Sequence, residues 1–307
     1  MELLTNYNGA VFFVDILGIS ALTNNKIKLE AEDFQPWLDD PSKFSNQFLG
    51  AAILAKFRDL LSTLGMEKKS LKITQLSDCA FIWSDNIADV IIFCSKFMHQ
   101  AVNTGILCRG GLAYGEIIET NQSHKLGRFI LGDAVTQAAK LEQLSKGCRV
   151  LMNQEIPHEL FHYNEDLSSK IMPLFQPFDN NIDYTKYDEF KWYMAPQLSY
   201  KNQVDLNTVS FQTRIEHTKN RLILANRLRC STKFNWNAKS NEGRRQLIPS
   251  IRFLSENYLG GVLHNFGWED VIDNRSKETE LNIAKKINDY PDYREYQSIP
   301  FPDDWIG

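Results

Sequence analysis

The chain has 307 residues, 43% of them apolar and 23% charged, with a formal net charge of -4. That length buries a substantial core, as one large domain or two smaller ones. The mildly acidic balance excludes broad electrostatic binding to DNA or RNA, which needs clustered positive charge. No stretch approaches the roughly 18 apolar residues of a membrane span, and the best contender, "ADVIIFCSKFM", is short and carries Lys96. The opening "MELLTNYNG" has no secretory signal pattern. Cys79, Cys94, Cys108, Cys148 and Cys230 are scattered and odd in number, and read as reduced residues, not as a disulfide framework or a zinc site. Together these features predict a soluble cytoplasmic protein with no nucleic-acid or membrane partner.

In chain order, "AVFFVDI" at 10–16 reads as a strand that ends in a carboxylate, Asp15, and breaks at Gly18. The polar insertion "NNKIKLEAEDFQPWLDDPS" follows, its two prolines marking loop. Helical spacing covers 44–64, with Phe48, Ala52, Leu54, Phe57, Leu60 and Leu61 as the apolar stripe. "LKITQL" and "CAFIWS" form two strands joined by a tight turn at Ser77 and Asp78. A helix over 87–103 precedes the strand "ILCRGGLAYGEII", whose Gly110, Gly111 and Gly115 permit a bulge or a close backbone approach. "GDAVTQAAKLEQLSKG" is a helix bounded by glycines, and "CRVLMN" is a further strand. From about 200 the pattern turns helical, at 206–229 and 241–259, before a polar tail rich in proline and aspartate. The element order predicts an α+β fold with helices on one face of a largely antiparallel sheet. The expected division is a domain over 1–200 and a helical C-terminal extension over 201–307.

Two carboxylates stand out. Asp15 is either an N-cap for the following helix or a ligand for a cation. Asp78 has a simple reading as a turn aspartate. Because each ends an apolar strand, a sheet that pairs those strands brings both to one edge. Two carboxylates and a backbone carbonyl make a hard oxygen site suited to Mg²⁺ or Mn²⁺ with substrate phosphates.

The blocks "FFVDILGIS", "TQLSDCAFI", "CRGGLAYGEI" and "LGDAVTQAAKLEQLSKGCRVLM" resemble, in order, the class III nucleotidyl cyclase domain. The resemblance spans roughly 12–152 and implies a ferredoxin-like βαββαβ core. It implies a homodimer with active sites at the interface, two Mn²⁺ or Mg²⁺ ions per site, and metal ligation by Asp15, Asp78 and the Ile16 carbonyl. The implied reaction is attack of a nucleoside triphosphate's 3′-hydroxyl on its own α-phosphorus, with loss of pyrophosphate.

Some positions depart from the family pattern. The ribose-orienting asparagine and the transition-state arginine of such cyclases correspond to Thr136 and Lys140 here. A lysine keeps the charge but loses the bidentate fork; both residues also read simply as an exposed helix face. Arg109 is an alternative source of positive charge. The base-selecting positions hold Thr74 and Phe129, neither of which fits an adenine pattern, although Lys72 on the same strand face could support one. The chain is in this respect similar to the bacterial pyrimidine cyclases of the Pycsar antiphage defence system, which implies cyclic UMP, or less readily cyclic CMP, as product and a separate effector that it activates. The alternatives are an adenylate cyclase and a catalytically silent, nucleotide-binding sensor. His158 and His162 are four apart, as in a helical metal pair, but "ELF" between them lacks the metalloprotease glutamate arrangement, so no zinc site is expected there. Arg214, Lys219, Arg221, Arg227 and Arg229 read as a solvated helix face.

Overall fold

The computed structural model describes residues 4–120, 128–180 and 184–192. The expected helices at 206–229 and 241–259, Cys230 and the C-terminal basic face lie outside the described residues. Strand β1 (Leu4–Ile16) leads into the short helices α1 (Ile19–Thr23) and α2 (Ala31–Phe34), then α3 (Asn46–Gly65), β2 (Lys72–Leu76), β3 (Cys79–Ser84), α4 (Ile87–Asn103) and β4 (Cys108–Thr120). Next come β5 (Ile130–Leu131), α5 (Asp133–Leu144), β6 (Val150–Met152), α6 (Glu155–Tyr163), α7 (Glu165–Ile171), β7 (Phe175–Asn180) and β8 (Thr185–Phe190).

The strands form one sheet in the order β2-β3-β1-β4-β6-β8-β7, with β5 attached to β4. All pairs are antiparallel except β4 with β6. The first six major elements, β1-α3-β2-β3-α4-β4, give the expected βαββαβ core. Its two helices lie on one face, as the sequence predicts, and α5 is added on the opposite face. β1 is an interior strand, between β3 and β4, and is covered on both sides, which is why "AVFFV" is apolar without alternation. Ala10, Phe12 and Val14 face α3 and α4, whereas Val11 and Phe13 face α5. The period of two therefore carries Asp15 onto the α5 face.

Edge-to-face and stacked rings hold the first layer. Phe97 of α4 meets Phe12 of β1 at 6.4 Å, Phe57 of α3 at 5.6 Å and Phe93 at 5.8 Å between ring centroids. The buried line on α3 runs Leu49, Ile53, Phe57, Leu60, Leu61 and Leu64. This corrects the phase expected from sequence, since Phe48 is 50% exposed and Ala52 and Leu54 are only half-buried. Apolar residues occupy more than one face of this helix, and the sheet selects among them. The insertion after α1 is also more ordered than a plain loop: Phe34 is buried and stacks on Phe44 at 5.0 Å.

β1 and β4 pair without a break from Leu4 with Thr120 to Ile16 with Cys108. The glycines of β4 therefore serve close approach and not a bulge. A Cβ on Gly111 would overlap the Ala138 carbonyl of α5, and one on Gly115 would stand 2.6 Å from the Asp133 carboxylate. α5 thus rests its backbone directly on the strand. Gly111→Ala should push the helix off the sheet and cost about 1–3 kcal/mol, measured as a lower midpoint in thermal or urea unfolding.

Candidate active site

The site grows out of three strand ends on the α5 face. Asp15 is registered opposite Cys79 of β3 on one side and Arg109 of β4 on the other. Asp78 lies in the two-residue turn between β2 and β3, and its carbonyl accepts the Ile16 amide at 3.0 Å. That bond ties the turn to the end of β1. Ser77 takes φ 59 in this turn, at a position where glycine is the usual occupant. Asp15 does not cap the following helix: the N-cap of α1 is Gly18, and no side chain caps it.

Arg109 sits between two carboxylates. Its Nε donates to Glu142 of α5 in a close ion pair, and its Nη2 lies 3.5 Å from Asp15 Oδ2. Glu142 is 3% exposed, so its charge is largely removed from water. Burial and the neighbouring carboxylates of Glu142 and Asp78, partly offset by Arg109, push the Asp15 carboxyl up to about 7. Burial also raises Glu142, against the opposing pull of Arg109. Burial and the same three carboxylates push the Cys79 thiol up to about 11. Asp15, Asp78 and Glu142 thus share one patch that holds a single nearby guanidinium, an excess of negative charge.

Glu142 was not singled out from sequence. The signal that could have found it is its position four residues after Ala138, on the face that also buries Ala134 and Leu141.

The other residues of interest lie elsewhere on the chain. Thr136 is exposed and donates its hydroxyl to the Gly132 carbonyl at 3.0 Å. Lys140, one turn later, is exposed and lines a cleft of about 630 Å³ with Gln137, Asn153, Lys186, Tyr187 and Asp188. The structure therefore brings Asp15, Ile16, Asp78 and Arg109 together, and leaves Thr136 and Lys140 on the outer side of α5. Thr74 is registered opposite Phe81 and is half-buried. Phe129, just before β5, is 50% exposed; its carbonyl accepts the Thr120 amide at 3.2 Å and its own amide donates to the Thr120 hydroxyl at 3.3 Å. Lys72 is bound into a separate network near the other end of the sheet. It pairs closely with Glu119, which also accepts the Trp83 indole N–H at 2.8 Å, and its ammonium donates to the Tyr7 hydroxyl at 3.2 Å.

Among the described residues no group of three or more His, Cys, Asp or Glu side chains is arranged to hold a metal. Two carboxylates are nonetheless sufficient for a hard cation that keeps water and phosphate oxygens as its remaining ligands. The donor set fits such an ion, because Asp15 and Asp78 offer only oxygen and the patch is short of positive charge. Among the described residues no helix is long and apolar enough to cross a membrane. Cys94, Cys108 and Cys148 are buried free thiols and Cys79 is a half-buried one, as the scattered spacing predicts.

The raised Asp15 carboxyl has a measurable consequence. The unfolded chain ionises this group near its ordinary value of 3.8, the folded chain only near 7. Its contribution to stability is present below about pH 4 and lost as pH rises to about 7. Asp15→Asn should therefore be more stable than the native chain at pH 8, by an amount of order a few kcal/mol, with the gap closing toward pH 4 in thermal melts. Adding Mg²⁺ at pH 8 should raise the melting temperature of the native chain and leave that of the variant nearly unchanged.

No protein-family model and no curated protein matches the chain. Similar solved structures include the non-canonical dimeric guanylyl cyclase domain of a rhodopsin fusion protein from the aquatic fungus Blastocladiella emersonii, at 14% identity, covering 62% of this chain and 97% of that one with a TM-score of 0.41. The adenylyl cyclase CyaB from P. aeruginosa matches at 15% identity over 61% of this chain and 95% of its own, with a TM-score of 0.40. The guanylate cyclase domain from Catenaria anguillulae, in complex with GTP, matches at 14% identity over 60% and 95%, again with a TM-score of 0.40.

Proposed function

We propose that the chain is a pyrimidine nucleotidyl cyclase that converts UTP, or less readily CTP, to its 3′,5′-cyclic monophosphate and pyrophosphate, as a second-messenger synthase of antiphage defence. The observation that carries the proposal is the meeting of Asp15 and Asp78, 63 positions apart in sequence, at one strand edge where carboxylates outnumber the single Arg109 guanidinium. In this reading Asp15, Asp78 and the Ile16 carbonyl hold two Mn²⁺ or Mg²⁺ ions. When bound, such ions supply the charge that lowers the pKa of the 3′-hydroxyl and neutralises the triphosphate.

The chain's own residues then do the positioning. Arg109, anchored by Glu142, fixes the Asp15 carboxylate and holds a positive charge beside the phosphates. Thr136 and Lys140 point outward from α5, so they serve the site of a second copy: Thr136 accepts or donates a hydrogen bond to the ribose, and Lys140 meets the developing phosphate charge. In this reading the protein is a homodimer with active sites at the interface. Thr74 and Phe129 line the base pocket, where Phe129 offers a stacking face in place of a hydrogen-bonding edge. The prior engagement of Lys72 by Glu119 and Tyr7 weighs against the adenylate cyclase alternative. The cyclic product would act on a separate effector.

A catalytically silent, nucleotide-binding sensor is the second reading, and the replacement of asparagine and arginine by Thr136 and Lys140 favours it. The cluster around Asp15 favours the enzyme, because a binder without metals gains nothing from a buried excess of carboxylates.

Incubation of purified protein with ATP, GTP, CTP and UTP in Mn²⁺, with products resolved by mass, decides between the two. Cyclic UMP is expected, cyclic CMP would change only the base, and four unchanged nucleotides would leave the sensor reading. Asp15→Asn and Asp78→Asn should each lower turnover roughly 10²-fold or more without unfolding the chain. Neither Asp15→Asn nor Lys140→Ala should be active alone, and mixing the two should partly restore product formation, since the hybrid dimer contains one intact site.

A further inference from the structure

A pair of histidines lies on the sheet face opposite the carboxylates. His158 and His162 occupy successive turns of α6, whose Ile156 and Leu160 pack into the core beneath α4, away from α5. The two imidazoles converge: their Nε2 atoms are 3.2 Å apart and their ring centroids 4.5 Å. Glu159 accepts a hydrogen bond from His158 Nδ1 at 3.2 Å, with His158 itself well exposed.

From this geometry we propose a second metal site, selective for a transition ion of the Zn²⁺, Ni²⁺ or Cu²⁺ class and chelated by His158 and His162 through Nε2. The separation of the two nitrogens is the main argument. Nitrogens bound to one ion at about 2.0–2.1 Å and 3.2 Å apart subtend an angle of about 100°, between the octahedral and tetrahedral values. The carboxylate is the second argument. A ligating histidine characteristically gives its other N–H to a carboxylate, which fixes the tautomer and raises the basicity of the ligating nitrogen. With Nδ1–H of His158 given to Glu159, the Nε2 lone pair is available. His162 becomes a ligand in the tautomer that carries its proton on Nδ1. The remaining coordination positions take water.

The two sites differ in hardness. Asp15 and Asp78 offer only oxygen, which suits Mg²⁺ and Mn²⁺. The imidazole pair prefers the later transition ions, whose affinity for nitrogen rises along the first row to copper. The sheet separates them, so an ion on α6 neither shares ligands with the carboxylate patch nor neutralises it.

Calorimetric titration of the full chain with Zn²⁺, in excess Mg²⁺ to fill the oxygen site, tests the proposal. Saturable Zn²⁺ binding is expected in the native chain and in Asp15→Asn. The double variant His158→Ala with His162→Ala should lose that binding, and Glu159→Gln should weaken it by about tenfold. Circular dichroism checks that these exposed substitutions leave the fold intact. Absence of saturable binding in the native chain, or equal binding in the double histidine variant, would overturn the proposal.

Discussion

The close approach of α5 to β4 at Gly111 is the constraint on which the rest of the site depends. A helix normally stands off a sheet by the length of the side chains between them. Here a strand glycine and the Ala138 backbone meet directly, so α5 lies low enough for Glu142 to reach the Arg109 guanidinium. Arg109 is thereby fixed beside Asp15, and the Asp15 carboxylate is held at the rim of β1 instead of rotating into solvent. A packing detail at one residue determines where a charge sits on the neighbouring strand.

The electrostatics around Asp15 are deliberately unbalanced in the sense that matters for ligand binding. Burying one carboxylate with one guanidinium leaves a neutral pair whose attraction offsets part of the desolvation cost. Adding Glu142 and Asp78 leaves the group with more negative charge than Arg109 offsets, and the raised Asp15 carboxyl is the direct expression of that excess. The Lys72–Glu119–Trp83 network is the contrasting case. Glu119 is 3% exposed, yet it accepts from both an ammonium and an indole N–H, so its charge is met within the fold. One cluster is met within the fold; the other retains an excess of negative charge.

Much of this architecture was legible in the chain. The βαββαβ order followed from alternating periods of two and near four, and Asp15 and Asp78 were legible as neighbours because each ends an apolar strand whose pairing is forced by burial. What remained hidden depended on contacts between residues distant in sequence. Glu142 looks like an ordinary polar residue of a surface helix until α5 is laid on Gly111. The ion pair of Lys72 with Glu119 joins positions 47 residues apart, which no local pattern encodes. The first residues of β1, "LTNYN", carry little strand propensity and are recruited by pairing with the far half of β4. The phase of α3 was misjudged because Phe48 is apolar but points away from the core. The convergence of the His158 and His162 imidazoles required only that α6 form.

Cys79 shares the rim with Asp15, and its position decides how the site meets oxidative chemistry. Peroxides and electrophiles react with the thiolate and not the thiol. Burial and the nearby carboxylates push the Cys79 thiol up to about 11, so the protonated thiol is favoured at neutral pH. Burial, reinforced by the carboxylates that make the rim attractive to cations, thus disfavours the reactive form of its sulfur.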